Sequence, residues 1–264
     1  MRLALCQPRP TDGDTDSAFD TIERMALASS TAGADLLLLP ELMLPGYNRP
    51  DLHGVQAQHS TGPWAERIAD IARDNSIAIV LGFAERDGDR VYNSAIAVSK
   101  SGKTLACFRK LQLYGPMENK GFVAGESYVT FPFHARTIGI LICFDIEFPG
   151  HARALTRLGA SLILVPTANP CGFAHVADLL VPARAAENGI IVAYANYAGF
   201  EGKLNFDGGS VIAGHGGAIL GRAGDEPALL ISTLPEPDAN GEIHASAETE
   251  RTGLVHRTSN PDAL

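Results

Sequence analysis

Six short apolar runs set the strongest limit on what this chain can fold into. They are "RLALCQ" (2 to 7), "ADLLLLP" (34 to 40), "IAIVLGF" (77 to 83), "IGILI" (138 to 142), "SLILVP" (161 to 166) and "IIVAYAN" (190 to 196). Apolar runs of about this length bounded by turn residues read as buried strands, and none approaches the roughly 20 residues that a bilayer helix needs. Between them the period changes. Phe19, Ile22, Met25 and Ala26 recur at helical spacing until Gly33 supplies a stop, and Thr61, Gly62 and Pro63 open a second helix with Ile68, Ile71 and Ala72 on one face. Pro149 suits a first helical position before Ala152, Leu155 and Leu158, closed by Gly159, and residues 179 to 189 read as a helix disturbed at Pro182. Strand and helix therefore alternate, the pattern of an α/β fold. Residues 90 to 110 and 209 to 220 each read as a hairpin, so antiparallel pairing mixes into the arrangement. "PALLISTLP" closes the folded part, which gives an expected domain of residues 1 to 235. Residues 236 to 264 turn polar and read as a tail or as an arm that leans on a partner subunit.

Composition narrows the class. At 264 residues the chain can bury a large core, and 45% hydrophobic against 19% charged residues fits a folded enzyme better than a disordered chain. A formal net charge of -9 without a basic run argues against nucleic acid and anionic membrane as partners. Four cysteines without CxxC pairing, and an N-terminus that turns polar too quickly for a signal peptide, fit a reducing cytoplasm. The histidines show no HExxH or similar ligand spacing, so metal chemistry is not expected.

The residues just past the apolar runs carry chemistry. "LLLLP" is followed by Glu41, "TLACFR" by Lys110, "IGILI" by Cys143, "LILVP" by Thr167 and Asn169, and "IIVAYA" by Asn196. In α/β sheets ligands collect beyond the carboxyl ends of strands, so a carboxylate, an ammonium and a thiol delivered this way can converge. A free thiol is mostly protonated at neutral pH and needs a base or a cation to become a reliable nucleophile. A glutamate can take that proton, and a fixed ammonium can hold the anion formed when the thiolate attacks an amide or nitrile carbon. "NPCGFAH" offers a second thiol, Cys171, four positions before His175, but no third group that would orient such a pair is apparent. Arg184 and Glu187 are spaced to brace one another along a helix.

At these positions the sequence resembles the nitrilase superfamily of carbon-nitrogen hydrolases. "LLLLPEL", "FRKLQLYGPMENKGFVAGE", "ILICFDIEFPG", "PARAAENGIIVAYAN" and "DGGSVI" look like that family's ordered signatures, over about residues 1 to 235. The resemblance implies a four-layer αββα sandwich that often dimerises, with no cofactor. It implies Glu41 as general base, Lys110 as oxyanion stabiliser, Cys143 as nucleophile and Glu118 as a second active-site glutamate. The Phe144 N–H would join Lys110 at the oxyanion, and Tyr114, Thr167, Asn169 and Asn196 are pocket candidates. Two departures stand out: the cysteine motif ends Phe148-Pro149-Gly150 where the family usually has Phe-Pro-Glu, and Gly214-His215-Gly216-Gly217 replaces a more usual Asp-Pro-x-Gly turn. Phe144-Asp145 after the cysteine looks like the amidase branches rather than the true nitrilases. The expected activity is therefore hydrolysis of a small carboxamide to carboxylate and ammonia through a cysteine thioester. An N-carbamoyl amine hydrolase, an ω-amidase on a dicarboxylic monoamide and a catalytically silent binding or assembly protein on the same scaffold are the alternatives.

Overall fold

The computed structural model describes residues 1–236, so all but the first residue of the expected tail lies outside the described residues. The first half runs β1 (Arg2–Gln7), α1 (Thr15–Thr31), β2 (Leu36–Leu38), α2 (Pro50–Gln56), α3 (Pro63–Asp74), β3 (Ala78–Asp87), β4 (Arg90–Val98), β5 (Thr104–Arg109) and α4 (Gly115–Gly121). The second half runs β6 (Thr130–Phe133), β7 (Arg136–Ile140), α5 (Pro149–Arg157), β8 (Leu162–Pro166), α6 (Val181–Asn188) and β9 (Ile191–Ala195). A hairpin of β10 (Ala198–Glu201) and β11 (Leu204–Asp207) precedes β12 (Val211–Ala213), β13 (Ile219–Arg222) and β14 (Ala228–Thr233).

Two six-stranded sheets result, ordered β14-β1-β2-β3-β4-β5 and β13-β12-β9-β8-β7-β6. In each the central strands are parallel and the flanking ones antiparallel. Alternation along a strand explains how the layers stack, because successive side chains point to opposite faces. Leu3 and Leu5 of β1 join Leu36 and Leu38 of β2 in the core that also contains Ile138, Ile140, Leu162 and Leu164 of the other sheet. Ala4 and Cys6 point the other way, with Leu37, onto Phe19, Ile22, Ile68 and Ile71 of α1 and α3. On the far side Ala152, Leu155, Val181 and Ala185 of α5 and α6 cover the second sheet. The layers are helix, sheet, sheet, helix, as the resemblance implies.

Local chemistry accounts for the element ends. Asp14 caps α1 by accepting from the Ser17 N–H at 3.1 Å, and Pro63 and Pro149 open α3 and α5 where their missing N–H is not needed. Pro182 does not break the 179 to 189 helix; it comes after a π-helical turn, Val176–Leu180, and sits in the first turn of α6. The Gly214 region closes as a short 3₁₀ turn with Gly216 and Gly217 at φ 70° and 81°, a conformation a side chain would oppose. One expectation fails: Leu158 does not belong to the apolar stripe of α5. It caps the helix after Arg157 and is 56% exposed, because the chain leaves helical geometry there and turns its side chain outward. Among the described residues no helix is long and apolar enough to cross a membrane.

Candidate active site

Glu41 stands one residue past Pro40, where β2 can no longer pair. The Gly82 N–H of the neighbouring β3 donates to the Pro40 carbonyl at 2.9 Å, and a Cβ on Gly82 would lie 2.6 Å from the Glu41 Cα, so only glycine lets the two segments come this close. The carboxylate is fully buried. Its Oε1 accepts from Lys110 Nζ at 2.6 Å and from Asn93 Nδ2 at 2.7 Å, and its Oε2 from the Ala168 N–H at 3.0 Å. The Tyr197 hydroxyl donates to the Glu41 backbone carbonyl at 3.0 Å. Three donors thereby fix the orientation of the carboxylate and leave Oε2 with room to accept a further proton.

Lys110 follows β5 and is equally buried. Its ammonium bridges two carboxylates, Glu41 at 2.6 Å and Glu118 Oε1 at 2.8 Å. Glu118, on α4, also accepts from the Tyr47 hydroxyl at 2.9 Å and, through Oε2, from the Tyr114 N–H at 3.0 Å. Burial alone would strip the proton from Lys110, but the fields of Glu41 and Glu118 outweigh it and hold the ammonium charged well above the ordinary lysine range.

Cys143 opens a 3₁₀ turn, Cys143–Glu147, just beyond β7, with φ 44°. A non-glycine residue in the left-handed region is held there by its surroundings. Here the Asp145 carboxylate does the holding: it accepts from the N–H groups of Ile142, Leu111 and Gln112 at 3.0, 3.2 and 2.7 Å. One side chain thus ties the residue before Cys143 to the two residues after Lys110. Burial pushes Asp145 up to about 7 against that donor set. The Cys143 sulfur is half-buried and faces the same Ala168 N–H that holds Glu41. Burial, and then the negative field of Glu41, push its thiol well above the usual range, while Lys110 opposes them. Burial also raises Glu41 itself, with Lys110 opposing. A neutral thiol therefore rests beside a carboxylate whose proton affinity is enhanced, which is the starting point for proton transfer concerted with attack.

The sulfur opens onto a narrow cleft lined by Tyr47, Tyr114, Phe144, Glu147, Ala168, Asn169, Pro170 and Phe173. Tyr114 packs edge-on against Phe144 at 5.2 Å and Phe173 at 6.0 Å, forming an aromatic wall. The expected pocket residues divide. Tyr114, Phe144 and Asn169 line the cleft. Thr167 is fully buried and contributes its backbone carbonyl to the Glu41 N–H at 3.4 Å. Asn196 does not face the cleft: its amide donates to the Asn169 and Gly208 carbonyls at 3.0 and 2.9 Å and accepts from the Asn169 N–H at 2.9 Å, so it braces the loop that carries Asn169. Cys171 is exposed and pairs with Asp207 and Asn205 rather than with His175, which stacks near Phe173. Arg184 braces as its spacing implies, bonding Glu187 at 3.3 Å and the Ile146 and Glu147 carbonyls at 3.0 and 2.8 Å.

Sequence reasoning missed Asn93, Tyr47, Tyr197, Glu147 and Phe173, and gave Asp145 no role. Asn93 had a signal, an amide in the apolar run of β4 that must find a buried partner. Tyr47 had none, because its partner Glu118 lies 71 residues away in sequence.

The profile of the carbon-nitrogen hydrolase family matches residues 2–240. A protein of Pseudomonas protegens described as a hydrolase in the pqqF 5' region is 42% identical over 240 residues, covering 89% of this chain and 82% of that one. An (R)-stereoselective amidase of a Pseudomonas species is 33% identical, with 85% and 81% covered. Among solved structures, a double mutant of the amidase from Nesterenkonia sp. AN1 in complex with acrylamide superposes with a TM-score of 0.88 at 38% identity, covering 95% of this chain and 94% of that one. A second structure of that enzyme, with acrylamide added to its active site cysteine, gives a TM-score of 0.86 at 40% identity, with 89% and 93% covered.

Proposed function

Since the chain belongs to the carbon-nitrogen hydrolase family, in its amidase-like branch, we propose that it is an amidase that hydrolyses a small carboxamide to carboxylate and ammonia through a thioester on Cys143. The observation that carries this reading is the 2.6 Å Lys110–Glu41 contact behind a half-buried sulfur on a small cleft. Cys143 attacks the amide carbon as Glu41 accepts its proton. The tetrahedral anion is held by the Lys110 ammonium and the Phe144 N–H. Glu41 returns the proton to the leaving nitrogen, ammonia departs, and a water activated by Glu41 then cleaves the thioester. Glu118 holds Lys110 between two carboxylates so that the ammonium keeps both its charge and its direction. Residues 1 to 235 form one hydrolase domain in this reading, supported by the core shared between the sheets. Association with a second copy belongs to this reading through the family resemblance alone, and four free thiols fit a cytoplasmic protein.

The test is ammonia release over a panel of aliphatic amides, nitriles and carbamoyl compounds. The expected result is turnover of amides by the native protein and none by Cys143→Ala, with melting temperatures within a few degrees of each other. Silence of the folded native protein across the panel would contradict the proposal and favour a binding role.

A further inference from the structure

Resting on the amide-hydrolase reading, one wall of the cleft points to the substrate's own charge. Glu147 is the carboxylate that lines the cleft beside Cys143, and among the described residues no lysine or arginine lines it. Its side chain is half-buried, and among the described residues no ion pair or hydrogen bond engages its carboxylate. The Arg184 guanidinium is engaged instead by Glu187 and by the Ile146 and Glu147 backbone carbonyls. Burial raises the Glu147 carboxyl above its ordinary range, opposed by the fields of His175, Lys110 and Arg184, of which Lys110 is already held between two carboxylates. Behind the sulfur, Glu41 and Glu118 against Lys110 leave the ionised site with one net negative charge. A partly desolvated carboxylate without a partner in a negatively charged cleft calls for a cation. On the same cleft the rings of Tyr114, Phe144 and Phe173 form a wall whose π-faces favour an ammonium group.

We propose that Glu147 and this aromatic wall select amides whose acyl chain ends in a protonated amine, and that they exclude monoamides of dicarboxylic acids. Glu147 is then a specificity-determining residue: it does not touch the reacting carbon, and it binds the ammonium end of the acyl chain while Cys143 attacks the other end.

The experiment compares matched amides in which a terminal methyl is replaced by an ammonium: glycinamide against propionamide, β-alaninamide against butyramide, and 4-aminobutanamide against pentanamide, with succinamate as the anionic member. The quantity read is the ratio of kcat/KM for the charged to the neutral member within one enzyme, measured at about pH 7, where these amines and carboxylates are largely ionised. The native enzyme is expected to favour the ammonium member of at least one pair by about tenfold and to reject succinamate, and in Glu147→Gln that ratio is expected to fall by about the same factor. Because the ratio is internal to each protein, a general loss of activity or folded fraction in the variant cancels. A native ratio near one, or a ratio unchanged in Glu147→Gln, overturns this inference while neutral-amide turnover leaves the amidase reading intact. Failure to release ammonia from any amide, charged or neutral, overturns that reading and this inference with it.

Discussion

Replacing Lys110 by methionine, which keeps most of the volume and removes the charge, should make the protein's stability depend on pH in a direction set by its two buried carboxylates. Glu41 and Glu118 lie 2.6 and 2.8 Å from the ammonium and are fully buried, so the variant leaves two carboxylates facing a hydrocarbon tail. Removing one partner of a buried ion pair destabilises by about 3 to 5 kcal/mol, which for a domain of this size lowers the melting temperature on the order of 10 °C. The loss is not constant. Burial already raises Glu41 above its ordinary value in the native protein, with Lys110 opposing the rise, so deleting Lys110 raises it further. A carboxyl whose folded-state pKa exceeds its unfolded value, about 4.3, contributes stability that is present below that value and lost as pH rises through the folded one. The deficit of Lys110→Met should therefore be small near about pH 5 and largest near about pH 8. Thermal unfolding followed by near-ultraviolet circular dichroism on both proteins measures it. A deficit of the same size at both ends, or a variant as stable as the native protein near about pH 8, would refute the electrostatic account. Turnover by the variant should fall by about 10² to 10³ through loss of the oxyanion donor.

Three further outcomes are expected. Gly82→Ala puts a methyl group against the Glu41 backbone and should cost about 1 to 3 kcal/mol in urea unfolding, with kcat/KM reduced tenfold or more as Glu41 shifts, by roughly the magnitude known for small misplacements. Glu201, buried and raised by burial to about 7, accepts from the Asn48 N–H at 2.6 Å and so fixes the loop that carries Tyr47. Its contribution is present below its unfolded value and lost as pH rises through about 7, so the stability of Glu201→Gln relative to the native protein should improve by roughly 2 to 3 kcal/mol between about pH 4 and pH 8; a flat difference would exclude this titration. Cys171→Ser should retain full ammonia release, since that thiol pairs with Asp207 and Asn205 on the surface, and a large loss would revive the Cys171–His175 pair.

Much of the architecture was legible because burial on both faces leaves continuous apolar runs, and the residue after each run is delivered at a fixed place. Glu41, Lys110 and Cys143 could be proposed as neighbours on that ground alone, although they are scattered over a hundred positions. The short helices α2 and α4, of seven residues each, were not, because two turns are too few to display a helical period. The β10–β11 hairpin was also hidden: its strands are four residues long, and Gly199 and Gly202 at φ 100° and 57° interrupt any alternation. Thr167 and Asn196 show the limit on reading side-chain direction. Both stand at strand ends as expected, but the strand register turns Thr167 inward and commits Asn196 to three backbone groups. The same limit hid Glu147 and Phe173, whose approach to the cleft depends on the 3₁₀ turn after β7 and on the loop after β8 rather than on any repeating pattern.

The most direct measurement is mass spectrometry of the protein quenched during turnover of a small amide and digested to peptides. The account predicts an acyl increment, equal to the amide less ammonia, on the peptide containing Cys143, and its disappearance once substrate is exhausted. An increment on the Cys171 peptide, or none on any cysteine while ammonia is being released, would contradict it.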